Sequence, residues 1–202
     1  MEEPSTNSAA LARALRATAD PPLRPLPDEV ADLLTSLDCP PRLGAHLRLV
    51  HDVSCQIVDW LQERLPRPDF DRDVVLFGAA THDIGKTLHL AELSGPGSAH
   101  EPAGRDLLLR HGFGDDLARF ATTHAAWTEP GITLEDLLVS LADKIWKNKR
   151  VQGLEDLVVT RLAQTTGRQP WEEFIALDEL LTQIGDGADQ RLAFQAVHPI
   201  HG

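Results

Sequence analysis

Seven consecutive apolar residues, Val74-Val75-Leu76-Phe77-Gly78-Ala79-Ala80, run almost directly into Thr81-His82-Asp83. A helix that is apolar on all sides is buried. Other elements must therefore surround this one, and its last turn carries His82 and Asp83 into the interior. A charge-capable side chain on a core face needs a partner. Further along the chain, His51, His100, His124 and Asp143 also fall within helical stretches on faces that read as core. One site built from all six residues would supply each with that partner.

The rest of the chain predicts an all-α fold, because apolar residues recur at helical spacing and no segment shows convincing strand alternation. Leu43, Leu47, Val50, Val58 and Leu61 form one stripe that includes His51, in a helix ended by Pro66 and Pro68. Gly85 is placed to be a left-handed cap on the helix carrying His82, with Lys86 just beyond it. Ser98-Ala99-His100-Glu101 fits a capping box, which puts His100 in the first turn of a helix ending near Gly112. The following stripe, Leu117, Phe120 and Ala121, leads to His124. Thr133 caps a helix with Leu134, Leu137, Leu138, Leu141 and Ile145 on one face and Asp143 in its second half. Further helices are expected near 153–165, 171–184 and 186–196, with Pro170 starting the second and Gly185 stopping it. Residues 1–27 read as a flexible or extended segment: a short helix over 9–17 is possible on composition, and the prolines of 20–27 make a linker or strap. The main domain is then 28–202.

Charge and cysteine content exclude some functions. The formal net charge is −12, so a nucleic-acid polymer would be repelled by most of the surface. No run of about 18 apolar residues exists to span a membrane. Two cysteines, Cys39 and Cys55, are too few for a disulfide framework and suit a reducing cytoplasm. Cys55 follows His51 by four residues but reads as core packing.

Asp and neutral His are good ligands for a borderline divalent cation, and the mixed set suits iron, manganese, cobalt, nickel or zinc. Neighbours on a helix point about 100° apart, so His82 and Asp83 can flank an ion held between them and other helices. A carboxylate has two oxygens and can bridge two ions. Near Asp143, Lys144, Lys147, Lys149 and Arg150 form a basic island in an acidic protein. Lys147 and Arg150, four and seven residues past Asp143, are expected on its helical face, where they would draw in a phosphorylated substrate. Trp127 and Trp146 flank the region and read as core or rim. His46, His89, His111, His198 and His201 receive no role.

The order His51, then His82-Asp83 within Thr81-His82-Asp83-Ile84-Gly85-Lys86, then Asp143 within Leu141-Ala142-Asp143-Lys144, resembles the HD-domain metal-dependent phosphohydrolases over roughly residues 40–150. The resemblance implies an HD-domain helical bundle with a metal site in its core and C-terminal helices over 151–197. It implies that His51, His82, Asp83 and Asp143 hold one ion. His100 and His124 fall in the order of binuclear members, which implies a second ion bridged by Asp83, with iron or manganese favoured. The pattern is similar to HD-type diadenosine-tetraphosphate hydrolases and to HD-GYP cyclic-di-GMP phosphodiesterases. The first match is partial around Ala125-Ala126-Trp127, and no GYP motif is present to support the second.

The expected function is hydrolysis of a phosphoester or phosphoanhydride in a nucleotide or another small phosphorylated metabolite. A bound divalent ion lowers the pKa of its water toward neutrality and so makes hydroxide available. Asp83 and Lys86 are the expected catalytic residues, and Lys86, Lys147 and Arg150 the expected substrate contacts. Two alternatives stay open at this point. One is an HD-fold di-iron oxygenase, which Lys86 argues against. The other is a non-catalytic nucleotide-binding regulatory module.

Overall fold

The computed structural model describes residues 6–65 and 69–200. Among them every regular element is helical and none is a strand. The order is α1 (Thr6–Arg16), α2 (Asp28–Ser36), α3 (Pro41–Arg64), α4 (Arg72–Thr81), α5 (His100–Arg110), the single-turn α6 (Asp115–Ala118) and α7 (Phe120–Thr123), α8 (Leu134–Ile145), α9 (Gln152–Thr166), α10 (Pro170–Asp186) and α11 (Ala188–Ala196). Two 3-10 turns, Ile84–Thr87 and Leu90–Leu93, lie between α4 and α5. The expected stop of α3 at Pro66 and Pro68 lies outside the described residues. No helix of the described chain is long and apolar enough to cross a membrane.

Helix α3 is the centre of the bundle. It opens with Pro41 in its first turn, where a missing N–H costs nothing. Every residue from Leu43 to Cys55 is buried, because α1, α4, α8 and α11 pack around it. Helix α4 explains its own sequence in the same way. Val75 and Ala79 pack into one apolar cluster with α3, α8, α9 and α10, and Phe77 and Ala80 pack into another with α1, α2 and α5. With a core on each side, α4 has little need of a polar face. Each large side chain buried there contributes roughly 1.5–3 kcal/mol.

The N-terminal segment holds a short helix and then a stretch without regular structure, and both pack on the bundle. Helix α1 buries Ala10, Leu11, Ala14 and Leu15 and docks where Gly44 leaves room for Leu11. The buried Arg48 guanidinium donates to the carbonyls of Ala14, Ala17, Leu23 and Arg24. That fan of bonds ties both α1 and the extended stretch after it to α3.

Local capping follows the sequence in places. Asp71 caps α4 by accepting from Asp73 and Val74. Thr133 and Asp136 form a reciprocal capping box on α8. Three expectations fail. Helix α10 ends at Gly187 rather than Gly185; Gly185 instead keeps clear of the Asn148 side chain. Gly85 is not left-handed but lies inside a 3-10 turn. A Cβ there would collide with the His100 carbonyl and come within 2.6 Å of the Gly104 nitrogen, so this glycine serves close approach to α5. Ser98 makes no side-chain cap on α5. The Glu92 carboxylate takes the α5 N-terminal amides instead, accepting from Ala99 N at 3.1 Å and His100 N at 3.2 Å.

Candidate metal centre

Ends of several helices converge on one buried point. His82 is the C-cap of α4 and Asp83 opens the next turn. His100 is the first residue of α5, His124 is the C-cap of α7, and Asp143 lies in the last turn of α8. All five are buried. The structure brings them together with a sixth residue, His46 on α3, not with His51. They form two groups, His46–His82–Asp143 and Asp83–His100–His124, each with candidate ligand atoms within 4.8 Å of one another.

His51 lies elsewhere. It is five residues past His46, which turns it about 140° around the helix axis. Its ring nitrogens sit 3.8 and 4.0 Å from the Cys55 sulfur. Burial, and then the charges of Arg24, Arg72 and Arg48, push its pKa down to about 4. An environment already rich in arginine does not invite a cation. The sequence carried no signal to choose between the two histidines, because the surrounding stretch of α3 has no exposed face to set its phase.

The carboxylate of Asp83 straddles the two groups. Its Oδ2 lies 3.2 Å from His46 Nε2 and 3.6 Å from His82 Nε2. Its Oδ1 lies 3.0 Å from His100 Nε2 and 3.7 Å from His124 Nε2. Asp143 Oδ1 completes the first group, 3.4 Å from His82 Nε2 and 3.9 Å from His46 Nε2.

The histidines are oriented by what their other nitrogens touch. His82 Nδ1 donates to Ala79 O at 2.9 Å and His124 Nδ1 donates to Phe120 O at 3.0 Å. A carbonyl only accepts, so each Nδ1 carries the proton and each Nε2 presents a lone pair to the centre. His100 Nδ1 lies 2.5 Å from Glu92 Oε2, which turns its Nε2 inward too. That Nε2 is buried and makes no hydrogen bond, although Asp83 Oδ1 is close: the distance is short but the direction is wrong. His46 Nε2 meets His82 Nε2 at 3.3 Å.

Lone pairs and carboxylate oxygens thus converge in a buried space, an arrangement that divalent cations would satisfy. The donor set, neutral imidazole with carboxylate, is the chemistry such ions take. Protonation states agree. Burial would raise the carboxyl of Asp83, but the neighbouring histidines, His82 first, hold it well below the usual range. Asp143 is likewise held low against burial by His82 and Lys144. Burial pushes His46 down and His124 down to about 4. His100 goes the other way: burial opposes its charge, but Asp83 and Glu92 flank it and raise it.

A cavity of about 480 Å³ opens onto this centre, within the range of small-molecule sites. Four cations, Arg42, Lys86, Lys144 and Lys147, line it, with Glu101 the one lining carboxylate outside the two groups. Lys86 Nζ donates to Asp83 Oδ2 and Lys144 Nζ to Asp143 Oδ2, both at 2.6 Å. Lys147 lies 5.6 Å from the ring centre of Trp146, and the Trp146 ring packs edge-on to His46 at 5.0 Å. Trp127 stays at the rim, 5.4 Å from Lys144 Nζ.

Arg150 is not in the cavity. Its guanidinium is held by Glu155 at 2.9 and 2.8 Å and by Asp178 at 2.7 Å. The expected helical register does not reach it, because α8 stops at Ile145 and the chain turns through left-handed Asn148 at φ 57°. Arg42 and Glu92 are the site residues, besides His46, to which the sequence reading gave no place, while Lys144 belongs to the basic island expected to draw in a phosphorylated substrate. Glu92 carried no signal, since a turn and a loop separate it from His100.

The family model for the HD domain matches residues 45–146, half of the chain, and the chain belongs to the HD-domain family. That family consists for the most part of metal-dependent hydrolases acting on phosphate compounds. No curated protein and no solved structure gives a significant match.

Proposed function

We propose that this protein is a two-ion phosphohydrolase that cleaves a phosphoester or phosphoanhydride in a small phosphorylated molecule, a nucleotide being one such substrate. The observation that carries the reading is the Asp83 carboxylate, one oxygen facing His46 and His82 and the other facing His100 and His124, beneath a cation-lined cavity. His46, His82, Asp83 and Asp143 would hold one ion. Asp83, His100 and His124 would hold the other. Iron or manganese is favoured. Bound there, the ions would supply Lewis acidity and a metal-activated water for attack on phosphorus.

The chain's own residues supply binding and orientation. Lys86, Lys144, Lys147 and Arg42 attract the phosphoryl group into the cavity and neutralise its oxygens. Lys86 and Lys144 are already anchored on the carboxylates of the centre, so a phosphoryl oxygen bound there meets ammonium groups fixed in place. The Nδ1 bonds to Ala79, Phe120 and Glu92 keep three imidazoles aimed inward. The buried walls, Trp146 among them, limit bulk water around the centre.

The test is reconstitution of the metal-free protein with Fe(II), Mn(II), Co(II), Ni(II) or Zn(II), followed by metal analysis and a panel of phosphomonoesters, phosphodiesters and nucleotides. Two ions per chain and metal-dependent phosphate release or diester cleavage are expected. Tight nucleotide binding without turnover under every metal would make the protein a binding module and overturn the reading.

A further inference from the structure

We infer that Glu92 is a positioning residue for the Asp83–His100–His124 group, fixing the His100 imidazole and setting how strongly that group binds its ion; the inference rests on the two-ion reading above. Glu92 lies in the 3-10 turn Leu90–Leu93, outside the helix it serves. One carboxylate makes three contacts at the start of α5: Oε1 accepts from Ala99 N, and Oε2 accepts from His100 N and from His100 Nδ1. The chain between wraps around it. A Cβ on Gly97 would lie 2.5 Å from the Glu92 Cδ, so a side chain there would have to displace the carboxylate from its present position.

His100 is the one histidine of the centre whose ring is oriented by a side chain. His82 and His124 are oriented by carbonyls of their own helices, which cannot move independently of the ligand. His46 has no partner on Nδ1. A carboxylate behind a ligating imidazole fixes its tautomer and raises its basicity, and loss of such a partner typically weakens metal binding about 10–100-fold. A neutral amide of the same shape keeps a single accepting oxygen, so it can hold the His100 bonds or the Ala99 bond but not all three, and it supplies no charge. Glu92 therefore acts on one of the two groups and leaves the other alone.

The experiment is Co(II) titration of metal-free wild type, Glu92→Gln and Glu92→Asp, followed by calorimetry and by the visible absorption of bound Co(II). Wild type should take up two ions. In Glu92→Gln one ion should bind as in wild type and the other about 10–100-fold more weakly, with a changed Co(II) spectrum for that ion alone. Glu92→Asp, which keeps the charge, should recover part of the loss. Wild type binding two ions while Glu92→Gln binds both equally well would sink this inference and leave the two-ion reading standing. Equal weakening of both ions, or a lower melting temperature of the metal-free protein as the sole effect, would assign Glu92 a purely structural role and overturn it as well. Wild type binding one ion would bring down the two-ion reading and the inference with it.

Discussion

Lys86 Nζ sits 2.6 Å from Asp83 Oδ2, the same oxygen that faces His46 and His82. The lysine is therefore part of the charge balance of the centre as well as of the cavity above it. Replacing it with alanine removes a charged contact to a phosphoryl oxygen and also a cation that competes for Asp83. Lys86→Ala should lower kcat/KM on the best phosphorylated substrate by about 10–150-fold, the equivalent of roughly 1.5–3 kcal/mol for one charged hydrogen bond. Metal affinity should hold or rise. Steady-state kinetics beside metal titration checks both, and a drop in metal content would show that Lys86 supports the ions rather than the substrate.

His46 and His51 offer a direct comparison on one helix. His46→Ala should lose the ion of the His46–His82–Asp143 group, with a larger effect than the about 10–100-fold typical of supporting residues. His51→Ala should keep its full metal content and lose only stability, by about 0.5–3 kcal/mol. Metal analysis of the two purified variants decides. The reverse outcome would restore His51 as the ligand.

Asp83 is the residue shared between the groups. Asp83→Ala should therefore reduce metal content to below one ion per chain, a larger loss than for any histidine variant. It also removes the carboxylate that Lys86 donates to and that lies between the four imidazoles, so the metal-free fold should loosen. In wild type, chelation should lower the melting temperature and metal should restore it, because ions that bind only the native state stabilise it. An Asp83→Ala protein with both ions and normal turnover is the result that cannot be reconciled with this centre.

Burial and three arginines hold His51 at about 4, against an ordinary value of 6.5. The unfolded chain therefore takes up the proton first as pH falls. The contribution of His51 is fully present above pH 6.5 and is lost as pH drops through about 4, amounting to up to about 3 kcal/mol. His46 and His124 shift in the same direction, so the slope of wild type alone does not isolate His51. Urea melts of metal-free wild type and His51→Leu at pH 7 and pH 4.5 do. The stability difference between them should move in favour of the variant at the lower pH; a difference that stays constant would mean that His51 is not held neutral.

The sequence by itself determined the helical class, most helix boundaries and the delivery of His82 and Asp83 to the interior. Each depends on local periodicity, capping chemistry or a run of apolar residues, all of which are short-range. Thr133 at the start of α8 and the continuous apolar surface of α4 are examples. Tertiary structure decided which side chains meet. Periodicity reports the phase of a helix only when one face is exposed, and the part of α3 carrying both His46 and His51 has none, so five residues of register separate the centre from a buried position beside Cys55. The same limit applies past Ile145, where a turn at Asn148 takes Arg150 to Glu155 and Asp178. It applies also to Glu92, whose bond to His100 crosses a loop that no periodic pattern describes. A centre assembled from the ends of separate helices is fixed by their packing, and packing is a property of the whole chain.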